Sequence, residues 1–457
     1  MKKYFWKLIL PITFQQFMLA LVSASDALML GKMNQDFLSA VSLAGQVAFV
    51  FNLFIAALTI GTNMFAAQYW GIQDRDSVEK VMGFAMRTTV CIAGVFCIAA
   101  SFFSGILMRA FTNDPRLVEM GVLYLRAVGT SYVLSGITQI YLCIMKNSEQ
   151  AGKSMLISSC TVVLNIVLNA VLIFGWGMIP SMGIVGAALA TVIANAAGVI
   201  WSVLESYRCG GLRLRRKYTN FHITELERRF WKYVLPILAN EILWGGGFTM
   251  YSVIMGHMGT DAVAANSIAN ITKNLLICFC MGLGSSGSII VGNKLGAGEL
   301  EEAKKSGAYL CRLSIISGIV TGLLLLAITP AILHFSNISE EAREYLKWML
   351  VISSYYLAGK SVNGMTVGGI FCAGGDSRFG MICDGITLWC ITVPMGATAA
   401  FVFHAPVLAV YFLLNLDEIV KLPVVCRHYK KYNWIKNLTK TESGEKQESP
   451  GVKPVEN

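Results

Sequence analysis

A handful of charged side chains stand in stretches of this sequence that are otherwise too apolar to hold charge. Asp26 lies in Ser23-Ala24-Ser25-Asp26-Ala27-Leu28-Met29-Leu30-Gly31, and Glu241 ends Leu235-Pro236-Ile237-Leu238-Ala239-Asn240-Glu241. Lys360, Asp384, Asp417 and Glu418 follow in similar surroundings. A carboxyl group in hydrocarbon stays ionised only where a cation or a hydrogen-bond donor faces it, and such a group can carry a proton or ligate sodium. The plain alternatives are snorkelling to an interface for Asp26 and a structural hydrogen bond between helices for Glu241. A lone ammonium is equally costly, so Lys360 requires a carboxylate partner, with Asp384, Asp417 and Glu241 as candidates and a static packing pair as the alternative. Asn165 and Asn169 are four residues apart on one helical face, where they either join helices or point carbonyl oxygens at a cation.

Covalent chemistry is not indicated. No Ser/His pair, HExxH run, Walker loop or dinucleotide fingerprint stands in a suitable context. The twelve cysteines are scattered, with no CxxC pair or Cys/His cluster, and read as small buried hydrophobes, so no metal or cofactor is expected.

Side chains of this kind need helices that cross lipid to position them. With 55% hydrophobic and only 14% charged residues over 457 positions, and a mean hydropathy of +0.59, the chain is too apolar for a water-soluble protein. Apolar stretches at about residues 8–31, 41–70, 81–108, 120–145, 154–175, 183–207, 231–258, 264–293, 306–333, 345–372, 380–403 and 405–426 predict an all-α membrane protein of about twelve spans. The net charge of +10 gathers in the connection after the sixth span (Arg208, Arg213, Arg215, Arg216, Lys217, Arg228, Arg229) and in the tail (Arg427, Lys430, Lys431, Lys436, Lys440). That placement predicts cytoplasmic termini and linker rather than nucleic-acid binding, with the first span as an uncleaved anchor.

The chain is also a duplication. At a constant offset of 225 residues, Phe5-Trp6-Lys7 recurs as Phe230-Trp231-Lys232, Leu10-Pro11-Ile12 as Leu235-Pro236-Ile237, and Asp36 as Asp261. Further on, Gly71 matches Gly296 and Arg87 matches Arg312. Six spans per half make the repeats parallel, with a binding site expected between them. The expected division is an N-lobe at 1–207, a linker at 208–229, a C-lobe at 230–436 and a disordered tail at 437–457. The acids were not copied with the rest: Asp26 corresponds to Tyr251, and Glu241 to Gln16. Short amphipathic connectors are expected after Gly71 and Gly296, where an acidic, helix-starting stretch follows each glycine.

Leu10-Pro11 followed by Asp26, then Gln68-Tyr69-Trp70-Gly71, Asn165-Ile166-Val167-Leu168-Asn169, Gly183-Ile184-Val185-Gly186 and Ala373-Gly374-Gly375-Asp376 come in an order that resembles the multidrug and toxic compound extrusion (MATE) family. The resemblance covers the chain to about residue 436. It implies a monomeric, two-lobe exporter in a bacterial inner membrane, exchanging amphiphilic and often cationic small molecules for protons or sodium ions. It also implies an N-lobe coupling site at Asp26, Asn165, Asn169 and Thr191, with Glu241 standing in for a seventh-span acid of other branches, which would fall at Trp244. Many relatives have Asp where this chain has Asn169, so a sodium site does not carry over directly. With Lys360 near the place of another branch's tenth-span acid, the pattern leans to DinF-like members. A lipid or polysaccharide flippase and an intramembrane enzyme are the rival readings. The first would show extra C-terminal helices or a strongly cationic cavity, the second a paired nucleophile and base.

Overall fold

In the computed structural model, residues 2–33, 35–176, 180–208, 212–215, 218, 225–336 and 338–439 are described. The remaining linker positions and the tail from Lys440 onward, for which disorder was expected, lie outside them. The N-lobe consists of α1 (Lys2–Met33), α2 (Gln35–Gly71), α3 (Arg75–Phe102) continued by α4 (Ser104–Phe111), α5 (Pro115–Asn147), α6 (Ala151–Phe174) and α7 (Gly183–Arg208). The C-lobe has α8 (Glu225–Gly256), α9 (Thr260–Gly296), α10 (Leu300–Phe335) and α11 (Glu340–Asn363), the last running into a π-helical stretch, Gly364–Phe371. Its eleventh span is α12 (Ser377–Gly385), a second π-helical stretch (Ile386–Thr392) and α13 (Val393–Phe401). The twelfth is broken into α14 (Val407–Leu414), α15 (Asp417–Val420) and α16 (Leu422–Lys430).

Among the described residues the helices group into twelve spans, six per lobe, but the third and the last three are interrupted where continuous helices were expected. Among the described residues, nine helical stretches are long and apolar enough to cross a membrane unaided. The others are α8, α11 and the broken twelfth span, which carry Glu241, Lys360 and the run from Asp417 to Lys421. Pro394 begins α13 just after the wide π turns, a position where its missing N–H does little harm.

The two lobes meet reciprocally. α1 packs on α9, and α8 packs on α2, which is the same contact after the 225-residue shift. A side chain on Gly71 would collide with the carbonyl of Asn293, and one on Gly296 with the carbonyl of Gln68. Positions 68 and 71 are the repeat partners of 293 and 296, so a two-fold axis passes between the ends of α2 and α9, and both helices finish at the same level. The halves are parallel copies. Near this point the chain reverses at Gln73 (φ 59°) and at its repeat partner Gly298 (φ 76°). The expected amphipathic connectors are thus tight turns leading straight into α3 and α10, the first capped by the Asp74 carboxylate accepting from the Ser77 N–H (3.1 Å).

The linker and the tail reinforce the same end. Leu212 is buried, the Arg213 N–H donates to Glu79 Oε1 (3.1 Å) and Arg215 pairs with Glu79 Oε2 (2.6 Å). α8 starts at Glu225, so the last five residues of the expected linker are helical. The tail expected to be disordered from 437 is instead docked through Thr439. The Leu438 N–H donates to Gln68 Oε1 (2.6 Å), Asn437 Nδ2 to the Gly296 carbonyl (3.1 Å), and Gln68 Nε2 to the Ala373 carbonyl (2.7 Å). These bonds stitch both lobes together at the end that carries the termini. Away from it, burial along α9 changes from nearly continuous between Gly282 and Gly296 to one face only.

Because Gly296 lies at the closest approach of the lobes, Gly296→Ala is expected to destabilise the closed end by about 1–3 kcal/mol. Alkylation of an Asn293→Cys probe, in a chain with its native cysteines replaced, should then be faster than with Gly296 intact. Equal rates would refute the close approach.

Candidate functional site

In the N-lobe, α1, α6 and α7 bring four of the sequence-predicted residues into one hydrogen-bonded chain. The Thr191 hydroxyl donates to the Ala187 carbonyl (3.0 Å) and accepts from Asn165 Nδ2 (3.3 Å). Asn165 Oδ1 accepts from Asn169 Nδ2 (3.1 Å), which also donates to Asp26 Oδ1 (2.6 Å). The four-residue spacing of the two asparagines allows this, since it stacks them on one face of α6. Both are buried, Asn169 completely, while Asp26 and Thr191 are half-buried.

Asn169 Nδ2 donates to two side chains, and its own Oδ1 has no partner among the described residues. An unmatched buried carbonyl oxygen costs about 1–3 kcal/mol, a cost that an added proton donor or a small cation relieves. Leu30, Ile173 and Ala187 stand four residues from Asp26, Asn169 and Thr191, and form a buried apolar cluster with Tyr124 packed against it. By their positions along α1, α6 and α7, they close the site on the side remote from the termini.

The C-lobe holds a different arrangement. Lys421, almost fully buried, donates to Asp384 Oδ1 (2.8 Å) and lies 3.3 Å from Glu418 Oε1 and 3.9 Å from Asp417 Oδ2. Lys360 donates to the same Glu418 oxygen (3.1 Å) and sits over the Trp244 ring, 5.3 Å from its centroid. Asn363 Nδ2 completes the shell with bonds to Glu418 Oε2 (2.8 Å) and to the Glu418 carbonyl (2.7 Å). Lys360 is thus paired inside the C-lobe as expected, but with Glu418 rather than Asp384, Asp417 or Glu241. The reason is the break in the twelfth span: α15 turns its first residues toward α11, and Gly359 lets the backbone at Glu418 come close.

Asp384 and Asp417 join the network only through Lys421, which the sequence reading missed. Its spacing of three and four residues after Glu418 and Asp417 was the available signal. Glu241 is half-buried and makes no hydrogen bond or ion pair among the described residues; Lys360 and Asp384 are the charges whose fields reach it. It belongs to the other lobe from Asp26, and the two do not meet. A second missed residue is Lys273 on α9, buried, which donates to Asn415 Oδ1 (3.2 Å).

Among the described residues, no group of three or more His, Cys, Asp or Glu side chains is placed to hold a metal ion.

The chain is similar to known transporters over most of its length. It is 25% identical over 402 residues, 84% of this chain and 83% of the other, to the probable multidrug resistance protein NorM of Rhizobium meliloti. Its fold superposes on a MOP superfamily transporter from Pyrococcus furiosus with a TM-score of 0.86 at 17% identity, covering 96% of this chain and 97% of that one. That protein is described as having a binding pocket of reverse polarity. A MATE transporter in complex with MaL6 gives a TM-score of 0.85 at 17% identity, covering 94% and 96%. The MatE family model matches residues 11–171 and again 236–398, one match for each lobe. With both lobes matched, the chain belongs to the MatE family of membrane transporters, not of enzymes.

Proposed function

We propose that this transporter exports small amphiphilic molecules across a bacterial cytoplasmic membrane by alternating access, driven by inward flow of protons or sodium ions, with its termini and linker in the cytoplasm. The observation that carries this reading is the chain from Thr191 through Asn165 and Asn169 to Asp26, which ends on a lone carboxylate beside an unmatched carbonyl oxygen. The multidrug resistance relatives supply the substrate class. With a single carboxylate among neutral amides, protons are favoured over sodium, because a sodium ion needs several oxygen ligands at once and Asn165 Oδ1 already accepts from Asn169 Nδ2, whereas a proton needs only the Asp26 carboxylate.

Occupation of the site by the cation satisfies the buried oxygen and favours one packing of the lobes, whereas the substrate binds the other. Only such differential binding can move the equilibrium. The inter-lobe bonds at Gln68 and Leu438 must part and re-form in each cycle. Ethidium efflux from proteoliposomes under separately imposed proton and sodium gradients tests the reading. Efflux under the proton gradient is expected; efflux under sodium alone would reassign the coupling ion, and none under either would overturn the proposal.

A further inference from the structure

The start of α1 borders a cavity lined by opposite charges. With a volume of about 140 Å³, enough for a group of roughly benzene size, it lies between Lys7, Leu8 and Pro11 of α1 and Glu149 and Gly152 at the turn from α5 into α6. Lys7 and Glu149 are both exposed. Among the described residues they form no ion pair with each other and bond to no other side chain.

A third polar group opens on the same space. The first turn of α6 has no side-chain cap. The N–H groups of Lys153 and Ser154 find the Gln150 carbonyl (3.0 and 3.1 Å), whereas the Gly152 N–H finds no acceptor among the described residues. A side chain at Gly152 would meet nothing within 4 Å, so its backbone is open to the cavity. The cavity thus offers an ammonium and an uncapped helix N-terminus to an anion, and a carboxylate to a cation.

Its place along α1 names the source of such a ligand. Lys7 is the last charge before the uncharged run 8–25, and so marks the level at which α1 enters lipid. Trp6, Leu10 and Phe14 are exposed on the same face of α1, the face turned away from α6 and α9. The duplication supplies a contrast. In the C-lobe the equivalents of Leu8, Glu149 and Gly152 are Tyr233, Gly374 and Ser377, and protein fills the corresponding place. The Ser377 hydroxyl donates to the Tyr233 carbonyl (2.9 Å), and side chains on Gly374 and Gly375 would run into the Trp434 carbonyl and into Tyr233 and Leu438. Among the described residues no docked segment covers the N-lobe copy, and its Glu149 carboxylate has no counterpart at Gly374.

We propose that this cavity is a binding site for a phospholipid whose headgroup carries both a phosphate and a primary ammonium, that is, phosphatidylethanolamine. The phosphate meets Lys7 and the Gly152 N–H, the ammonium meets Glu149, and the acyl chains run along Leu10 and Phe14. A headgroup held in this way ties the start of α1 to that of α6, the two helices that carry Asp26 and Asn169. The proposal does not rest on the export reading.

Native mass spectrometry of the full chain tests it, with the detergent-solubilised protein titrated with phosphatidylethanolamine, phosphatidylcholine or phosphatidylglycerol of the same acyl chains. Wild type is expected to hold phosphatidylethanolamine at least about fivefold more tightly than the other two, because phosphatidylcholine has no ammonium N–H to donate to Glu149 and phosphatidylglycerol has no cation. Lys7→Gln and Glu149→Gln should each weaken phosphatidylethanolamine about tenfold, and Glu149→Gln should remove the preference over phosphatidylglycerol. Gly152→Leu fills the cavity with both charges in place and puts a better helix former into α6, so its expected loss of the selective site is not a folding defect. Equal affinity of wild type for the three lipids, a preference for phosphatidylglycerol, or undiminished phosphatidylethanolamine binding by Gly152→Leu or by the Lys7→Gln/Glu149→Gln double variant would each overturn the proposal. Displacement of the lipid by an equal concentration of free phosphoethanolamine would assign the site to a soluble ligand and overturn it as well. Ethidium efflux takes no part in these readouts, so failure here leaves the export reading standing, and the reverse.

Discussion

Proteoliposomes carrying Asp26→Asn should hold a folded protein that no longer exports against a gradient. The substitution keeps the size of the side chain and can still accept from Asn169 Nδ2, the bond that fixes residue 26 to α6 at 2.6 Å. It removes the one carboxylate of the Thr191–Asn165–Asn169–Asp26 chain, and with it any dependence of that chain on protonation or on a bound cation. Substrate binding is retained, because nothing in the site between the lobes is altered. A ligand shifts two states only through a difference in affinity, and an amide has no such difference to offer the driving ion. Efflux should therefore fall to the rate of passive leak, at least tenfold below wild type, while equilibrium substrate binding changes by less than threefold, about 0.65 kcal/mol. Wild-type efflux by Asp26→Asn under both gradients would remove Asp26 from the coupling role and turn attention to Glu241, the half-buried acid without a direct partner among the described residues.

How far the sequence exposes this architecture depends on the range of the interaction involved. The spans and their duplication are legible because hydropathy and the 225-residue offset are properties of the chain itself. The N-lobe chain is legible for a similar reason: Asn165 and Asn169 share a face by helical geometry, and only the meeting of α1, α6 and α7 had to come from resemblance. The C-lobe is where the reading stops. Lys360 finds Glu418 because the twelfth span breaks between Leu414 and Leu422, and no local pattern announces that break. With a continuous helix, Asp417 and Glu418 would point about 100° apart, and Asp417, not Glu418, stood among the candidate partners. Lys421 escaped notice since a lysine near the end of an apolar run reads as a snorkelling anchor, whereas Lys273 stands well inside the expected span 264–293 and was a mid-span ammonium the sequence already displayed. The docked tail is a further case: Leu438 sits in a polar stretch, yet the cleft at Gln68 and Arg229 gives its backbone partners that solvent would otherwise supply.

The two lobes consequently balance charge in different ways, although one sequence was the ancestor of both. The N-lobe site sets a single carboxylate, Asp26, among the amides of Asn165 and Asn169. The C-lobe sets Asp384, Asp417 and Glu418 against Lys360 and Lys421. Removing one of those lysines shows the difference most directly. Lys421→Met deletes the ammonium that holds Asp384 at 2.8 Å and lies within 4 Å of Asp417 and Glu418, leaving Lys360 to serve Glu418 alone. Breaking a buried pair costs about 3–5 kcal/mol, since the surviving charge stays desolvated. Lys421→Met should accordingly have the lowest melting temperature and the poorest membrane yield of the single lysine variants. Lys360→Met should be milder, because Glu418 keeps both Lys421 and the two bonds from Asn363. Lys360→Glu should be worse than Lys360→Met, as it sets a carboxylate against Glu418. Adding Asp384→Asn to Lys421→Met should recover part of the loss, because it neutralises the acid left without its cation. If Lys421→Met melts like wild type, or if Asp384→Asn deepens the defect, the lysine is not neutralising these acids and the C-lobe network is held together by other contacts.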